Sequence, residues 1–194
     1  MKNSFKVRDI LFEPCRGITV LLLLFIYATG CNMSPTNSKD PLEVLDTQVN
    51  FEMIDSVRLR NNFLTWSDFR KKYRNVSIVY LQDGCAPCYP KFINWHKRME
   101  QIAKADDYTV LFVINARDYA SFTRNTPVYQ SIEERYYYFI DPRNEFFRTN
   151  SNIPRVVLDR SLLIDRDNRI KMIGEPFTNG DMTKVFHIVT GVEE

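Results

Sequence analysis

The stretch VSIVYLQDGCAPCYPKF, residues 76–92, decides the fold. Its first six residues are β-branched, aliphatic or aromatic apart from Ser77, the composition of a strand buried on both faces. Gln82-Asp83-Gly84 then supplies turn residues. Cys85-Ala86-Pro87-Cys88 follows, and after it a helical pattern runs to about Ala105. In that pattern Phe92, Trp95, Met99 and Ile102 fall on one apolar stripe. Pro87 suits the first turn, where a missing N–H costs nothing. A cysteine pair therefore sits at a strand-to-helix junction.

Working outward, residues 65–73 read as a short helix. Thr65 and Asp68 have capping-box spacing, and Trp66, Phe69 and Tyr73 share a face. YTVLFVIN, residues 108–115, is a second buried strand, and residues 117–124 read as a helix interrupted by Thr126-Pro127. YYYFI, residues 136–140, is a third strand, stopped by Asp141-Pro142; its aromatic run is what a strand alternating between core and surface requires. Residues 144–149 are helical. Residues 161–165 and 169–173 are strands around the turn Arg166-Asp167-Asn168, and Gly180-Asp181 opens a last helix to about Thr190. Residues 42–60 give a mixed signal and no element is assigned there. Strands alternating with helices imply parallel βαβ units, and the late hairpin adds antiparallel strands. The expected class is α/β, with a central mixed sheet flanked by helices.

The first thirty residues differ in kind. ITVLLLLFIY, residues 18–27, is apolar and uncharged, and at ten residues it is half the length needed to span a bilayer. Lys2, Lys6, Arg8 and Arg16 precede it, and Ala28-Thr29-Gly30-Cys31 follows. A basic flank, a short apolar run and small residues before a cleavage point describe a secretory signal peptide. The cysteine after them resembles the lipobox of bacterial lipoproteins, although Ala28 stands where a larger aliphatic residue is usual. That resemblance implies cleavage before Cys31 and lipidation of its thiol. Residues 32–40, NMSPTNSKD, have the composition of a tether. The expected division is a signal peptide over 1–30, lipidated Cys31 and tether over 31–55, and a folded domain over 56–194. The expected location is the cell envelope, on a membrane and facing the periplasm.

The chain of 194 residues has 26 basic and 24 acidic side chains. Four basic and two acidic ones lie in the first thirty residues, so the rest holds 22 of each and is neutral. No basic stripe marks a nucleic-acid binder. Of the four cysteines, Cys15 lies in the signal region and Cys31 is the lipid acceptor, which leaves Cys85 and Cys88. Export places them where disulfides persist. A bridge between residues three apart closes too small a loop to add much stability by chain entropy. Structural zinc needs four ligands. There is no second cysteine pair, and His96 and His187 are far apart and read as ordinary helix residues. No metal or cofactor is expected.

At the start of a helix, unpaired N–H groups and the helix dipole favour a thiolate at Cys85, which makes it the attacking sulfur, with Cys88 resolving the mixed disulfide. The strand VSIVYL, then GCAPCYPKF, FIDPRNEFF over 139–147 and SLLIDRDNRIKMIG over 161–174 together resemble the thioredoxin superfamily. The nearer likeness is to its exported, membrane-anchored branch, which includes cytochrome c maturation reductases. The resemblance covers roughly residues 65–190 and implies a thioredoxin-like fold. It also implies a thiol–disulfide oxidoreductase acting on protein thiols and disulfides of the cell envelope, in a direction it leaves open.

Three positions depart from the family. Gly84 replaces the tryptophan before the first cysteine. Val79 stands where thioredoxins bury an aspartate. The family's cis-proline facing the cysteines would fall at Asp159, and Pro154, five residues earlier, is the nearest candidate for it. Two other readings stay open at this point. One is a thioredoxin-fold binding lipoprotein with little exchange activity, favoured if the cis-proline is missing. The other is copper handling by the cysteine pair, for which the family uses a wider spacing and a late histidine.

Overall fold

The computed structural model describes residues 41–102, 105–124 and 133–191. The expected signal peptide, Cys31 and the tether of residues 32–40 lie outside them. After a short 3-10 turn, Pro41–Val44, come the strands β1 (Ser56–Leu59) and β2 (Asn62–Thr65), helix α1 (Trp66–Lys72), β3 (Asn75–Gln82) and α2 (Cys88–Ile102). Then follow β4 (Tyr108–Asn115), α3 (Tyr119–Arg124), β5 (Tyr137–Ile140), α4 (Glu145–Thr149) and α5 (Arg155–Leu158). Strands β6 (Leu162–Ile164) and β7 (Ile170–Ile173) and helix α6 (Gly180–Thr190) complete the order. The seven strands form one sheet, β2-β1-β5-β4-β3-β6-β7. Strands β3, β4 and β5 run parallel, and β1, β6 and β7 join antiparallel. This is the expected α/β architecture with a mixed sheet.

Both faces of the sheet are covered, which explains the nearly continuous apolar runs. On β3 and β4, Val76, Ile78, Tyr80, Leu111 and Val113 enter one core. Val79, Leu81, Tyr108, Val110, Phe112 and Ile114 enter the other. The alternation is the period-2 geometry of a strand. Helix α2 lays Phe92, Trp95 and Met99 on the second core, along the stripe read from the sequence. The Thr65 hydroxyl caps α1 by accepting from the Asp68 N–H at 3.1 Å, as the spacing indicated. Buried Asp141 ends β5 and starts α4: its two carboxylate oxygens accept from the Glu145 and Phe146 N–H groups, each at 2.8 Å.

The folded body begins earlier than expected. The sequence extends the tether to residue 55, yet Val44, Val49, Phe51 and Ile54 are buried in the first core with Phe69 and Phe146. Their spacing fits neither a helix nor a strand because the segment is held by contacts with distant residues. The Asp46 N–H donates to the Ile170 carbonyl at 2.8 Å, and the Ile170 N–H to the Thr47 carbonyl at 3.0 Å. Fully buried Asn150 accepts from the Asn50 N–H at 2.7 Å and donates to the Asn50 carbonyl at 2.9 Å. Asn150→Ala should therefore cost about 2 kcal/mol, since it strands two half-buried backbone groups. Urea unfolding measures this, and a loss below about 0.5 kcal/mol would show that the clamp is unimportant.

Two further elements were not anticipated. Strand β1 forms at the end of the mixed region and β2 just beyond it, and α5 occupies the loop in which the family places its cis-proline. Pro154 is the residue before α5, and the described peptide bonds are all trans. Pro154 is thus not a cis-proline; its backbone is set to open a helix.

Candidate active site

Strand β3 lies where the sheet changes direction, with parallel β4 on one side and antiparallel β6 on the other. The carboxyl end of a strand at such a point is the usual place for a site in an α/β sheet. Here β3 ends at Gln82, and the Asp83 N–H donates to the Asn115 carbonyl at 3.0 Å, keeping the turn in register with β4. Gly84 has φ +75°, which a side chain would strain although the space around it is open. Its N–H donates to the Tyr89 hydroxyl at 2.8 Å and to the Asp83 carboxylate at 3.0 Å. Tyr89 in turn donates to Asp83 at 2.9 Å. Tyr89 packs on Phe122 beneath this turn, so its ring braces the segment leading to Cys85.

Cys85 and Cys88 are joined by a disulfide, with Cα atoms 5.3 Å apart. The helix begins one turn later than expected: Cys85 lies in the preceding turn and Cys88 is the first residue of α2. The Cys88 N–H donates to the Cys85 carbonyl at 2.9 Å, which closes the turn. The Gln82 N–H points at the Cys88 sulfur at 3.4 Å. Cys88 also packs against the second core, so it is the inner sulfur of the pair.

A cavity of about 210 Å³ opens beside the disulfide, lined by Tyr80, Gln82, Cys85, Pro87, Cys88, Lys91, Arg155 and Asp159. Pro154 does not line it. Asp159, where counting placed the family's cis-proline, does, and its carbonyl accepts from the Lys91 ammonium at 2.7 Å. The Asp159 carboxylate pairs with Arg155 at 3.6 Å. Tyr80 donates to Asn144 at 2.9 Å, and burial raises its hydroxyl pKa. Burial pushes the half-buried Lys91 ammonium down to about 8, opposed by the charges of Glu175 and Asp159. Val79, at the position of the family's buried aspartate, lies in the second core, so no carboxylate reaches the disulfide from there.

Sequence reasoning located both cysteines, reached Asp159 only as the place of a cis-proline, and missed Lys91 and Arg155. Lys91 was detectable, being one helical turn beyond Cys88. Arg155 was not, because its approach depends on how the loop before β6 folds. His96 is buried among Phe92, Phe112 and Tyr136 and does not line the cavity. Among the described residues no three His, Cys, Asp or Glu side chains gather as a metal site. A larger hollow of about 600 Å³, bordered by Gln48, Asn50, Trp66 and Asn152, contains neither cysteine.

No family model matches the chain, and no curated protein does. Solved structures do. A protein from Bacteroides vulgatus proposed to be a thiol-disulfide oxidoreductase is 16% identical at a TM-score of 0.50, over 71% of this chain and 87% of its own. A proposed electron transport protein from Aquifex aeolicus is 12% identical at a TM-score of 0.53, over 76% of this chain and 99% of its own. A thioredoxin from Wuchereria bancrofti matches at 11% identity and a TM-score of 0.48, over 71% and 89%. The fold is thioredoxin-like, and it carries a bonded C-x-x-C pair at the β3–α2 junction. Among the described residues no helix is long and apolar enough to cross a membrane.

Proposed function

We propose that this chain is a lipid-anchored thiol–disulfide oxidoreductase of the cell envelope, exchanging disulfides with protein substrates through Cys85 and Cys88. The observation that carries this reading is the bonded pair at the carboxyl end of β3, beside a cavity, in a thioredoxin-like fold. In the reducing direction the Cys85 thiolate attacks a substrate disulfide and expels one substrate thiolate. The Cys88 thiolate then attacks the Cys85 sulfur and expels the second. The substrate gains two electrons and the pair becomes a disulfide, which a dithiol donor resets. The B. vulgatus structure, by its proposed activity, supports this reading. Anchoring and location rest on the signal-like residues 18–30 and on Cys31, and the membrane is engaged through that lipid.

The test is dithiol-driven reduction of insulin by the full chain. Turnover faster than the dithiol acting unaided is expected. A rate equal to the dithiol's own would leave the second reading, a binding lipoprotein without exchange activity, which the trans backbone and Asp159 at the cis-proline position favour. For the anchor, the wild-type chain should incorporate radiolabelled palmitate in cells and Cys31→Ala should not; equal labelling of the two would refute lipidation at Cys31.

A further inference from the structure

Thiol exchange needs a proton taken from the resolving thiol and one delivered to the departing substrate sulfur. Val79, in the second core, supplies no acid for either step. Of the side chains lining the cavity, Arg155 stays charged, and Tyr80 holds its proton more tightly than a free phenol. The Asp159 carboxylate is engaged by Arg155. Lys91 differs. It stands three residues after Cys88 and so on the same face of α2. It borders the same cavity as both sulfurs, with its Nζ fixed on the Asp159 carbonyl at 2.7 Å.

Given the exchange reading above, we propose that Lys91 is the proton carrier of the resolving step. As a neutral amine it takes the Cys88 thiol proton, giving a thiolate and an ammonium. The thiolate forms the S–S bond to Cys85 as the bond from Cys85 to the substrate sulfur breaks, and the electron pair of that bond leaves with the substrate. The Lys91 ammonium then protonates the departing thiolate and is neutral again. The charged and titratable groups facing it are Glu175 from the loop after β7, Asp159 and Arg155 from the α5 segment, Tyr80 from β3, and the cysteines themselves. With burial bringing the ammonium to about 8, its affinity for a proton lies close to that of an ordinary thiol, near 8.5. Transfer between them is then nearly balanced in either direction.

The experiment mixes the reduced full chain with glutathione disulfide, quenches with acid, and resolves the glutathione adduct from the internal disulfide by mass. The rate of adduct resolution in the wild-type chain should rise with pH and level off above about 8, where the lysine is neutral. Lys91→Met and Lys91→Arg should both slow resolution about 100-fold at pH 7, and their rates should keep rising with pH until the Cys88 thiol ionises by itself. Arginine keeps the charge but cannot release its proton, so a wild-type rate in Lys91→Arg would overturn the proposal. So would an unchanged pH profile in Lys91→Met. A wild-type chain that resolves no adduct would instead refute the exchange reading itself.

Discussion

Cys85→Ser should reduce disulfide turnover to the rate of the dithiol unaided, while Cys88→Ser should attack once and stop. The difference follows from where the two sulfurs lie. Cys85 precedes α2 in a turn whose next residues, Ala86 and Pro87, are exposed, so a substrate disulfide can approach it. Cys88 starts the helix, packs against the second core and receives the Gln82 N–H. Serine's hydroxyl is far less acidic than a thiol and cannot form a disulfide, so Cys85→Ser removes the nucleophile and its covalent intermediate together. In Cys88→Ser the attack still occurs, but nothing displaces the substrate from Cys85. Incubation with glutathione disulfide should therefore leave a stable adduct on Cys88→Ser, visible by mass and released by a dithiol. An adduct on Cys85→Ser and none on Cys88→Ser would reverse the assignment of attacking and resolving sulfur. Turnover by both variants at the wild-type rate would place the chemistry outside the pair.

The parts of this site legible in the sequence are those fixed by local pattern. The β3 run, Gly84 and the Phe92–Trp95–Met99 stripe place the cysteine pair at a strand-to-helix junction because each depends on neighbours within a few residues, though the helix starts at Cys88 and not at Cys85. The parallel βαβ units and the antiparallel hairpin followed from the order of strands and helices, and Thr65 and Asp68 announced α1. What was illegible depends on long-range contacts. Val44 through Ile54 looked like tether because their burial relies on backbone bonds to residues 168 and 170 and on Asn150, a hundred residues beyond Asn50. The cavity's far wall had the same origin. Pro154 drew attention as a proline near the expected place, whereas the residue that reaches the cavity is Asp159, brought there by the single turn of α5. Counting from the Asp165 hairpin had pointed to that position, and composition gave no reason to accept an aspartate in it.

The helix that carries Cys88 also holds a buried histidine, and acid should act through it. His96 is 5% exposed, with its ring against Phe92, Phe112 and Tyr136, and among the described residues neither ring nitrogen has a hydrogen-bond partner. Burial, and secondarily the positive charge of Arg135, push its pKa down to about 4. In the unfolded chain the same ring titrates near 6.5. Between those values the unfolded state binds the extra proton, so stability falls as pH drops from about 6.5 towards 4. Fully developed, the loss is about 3 kcal/mol, a large share of a small domain's stability. Half-buried Glu175 works the other way, because burial raises its pKa and favours its protonated form in the fold. The net acid loss of the wild-type chain is therefore a difference, and a variant isolates the histidine. His96→Phe removes the titrating group and fills the same aromatic pocket with a ring that has no polar atom to strand. It should be more stable than wild type by about 1–3 kcal/mol at pH 7.5. The advantage should widen by about 3 kcal/mol as the pH approaches 4. Urea midpoints at pH 7.5, 5.5 and 4.5 measure both effects. Parallel pH curves for the two proteins would mean that His96 gains no proton on unfolding, and the acid sensitivity would then belong to another group.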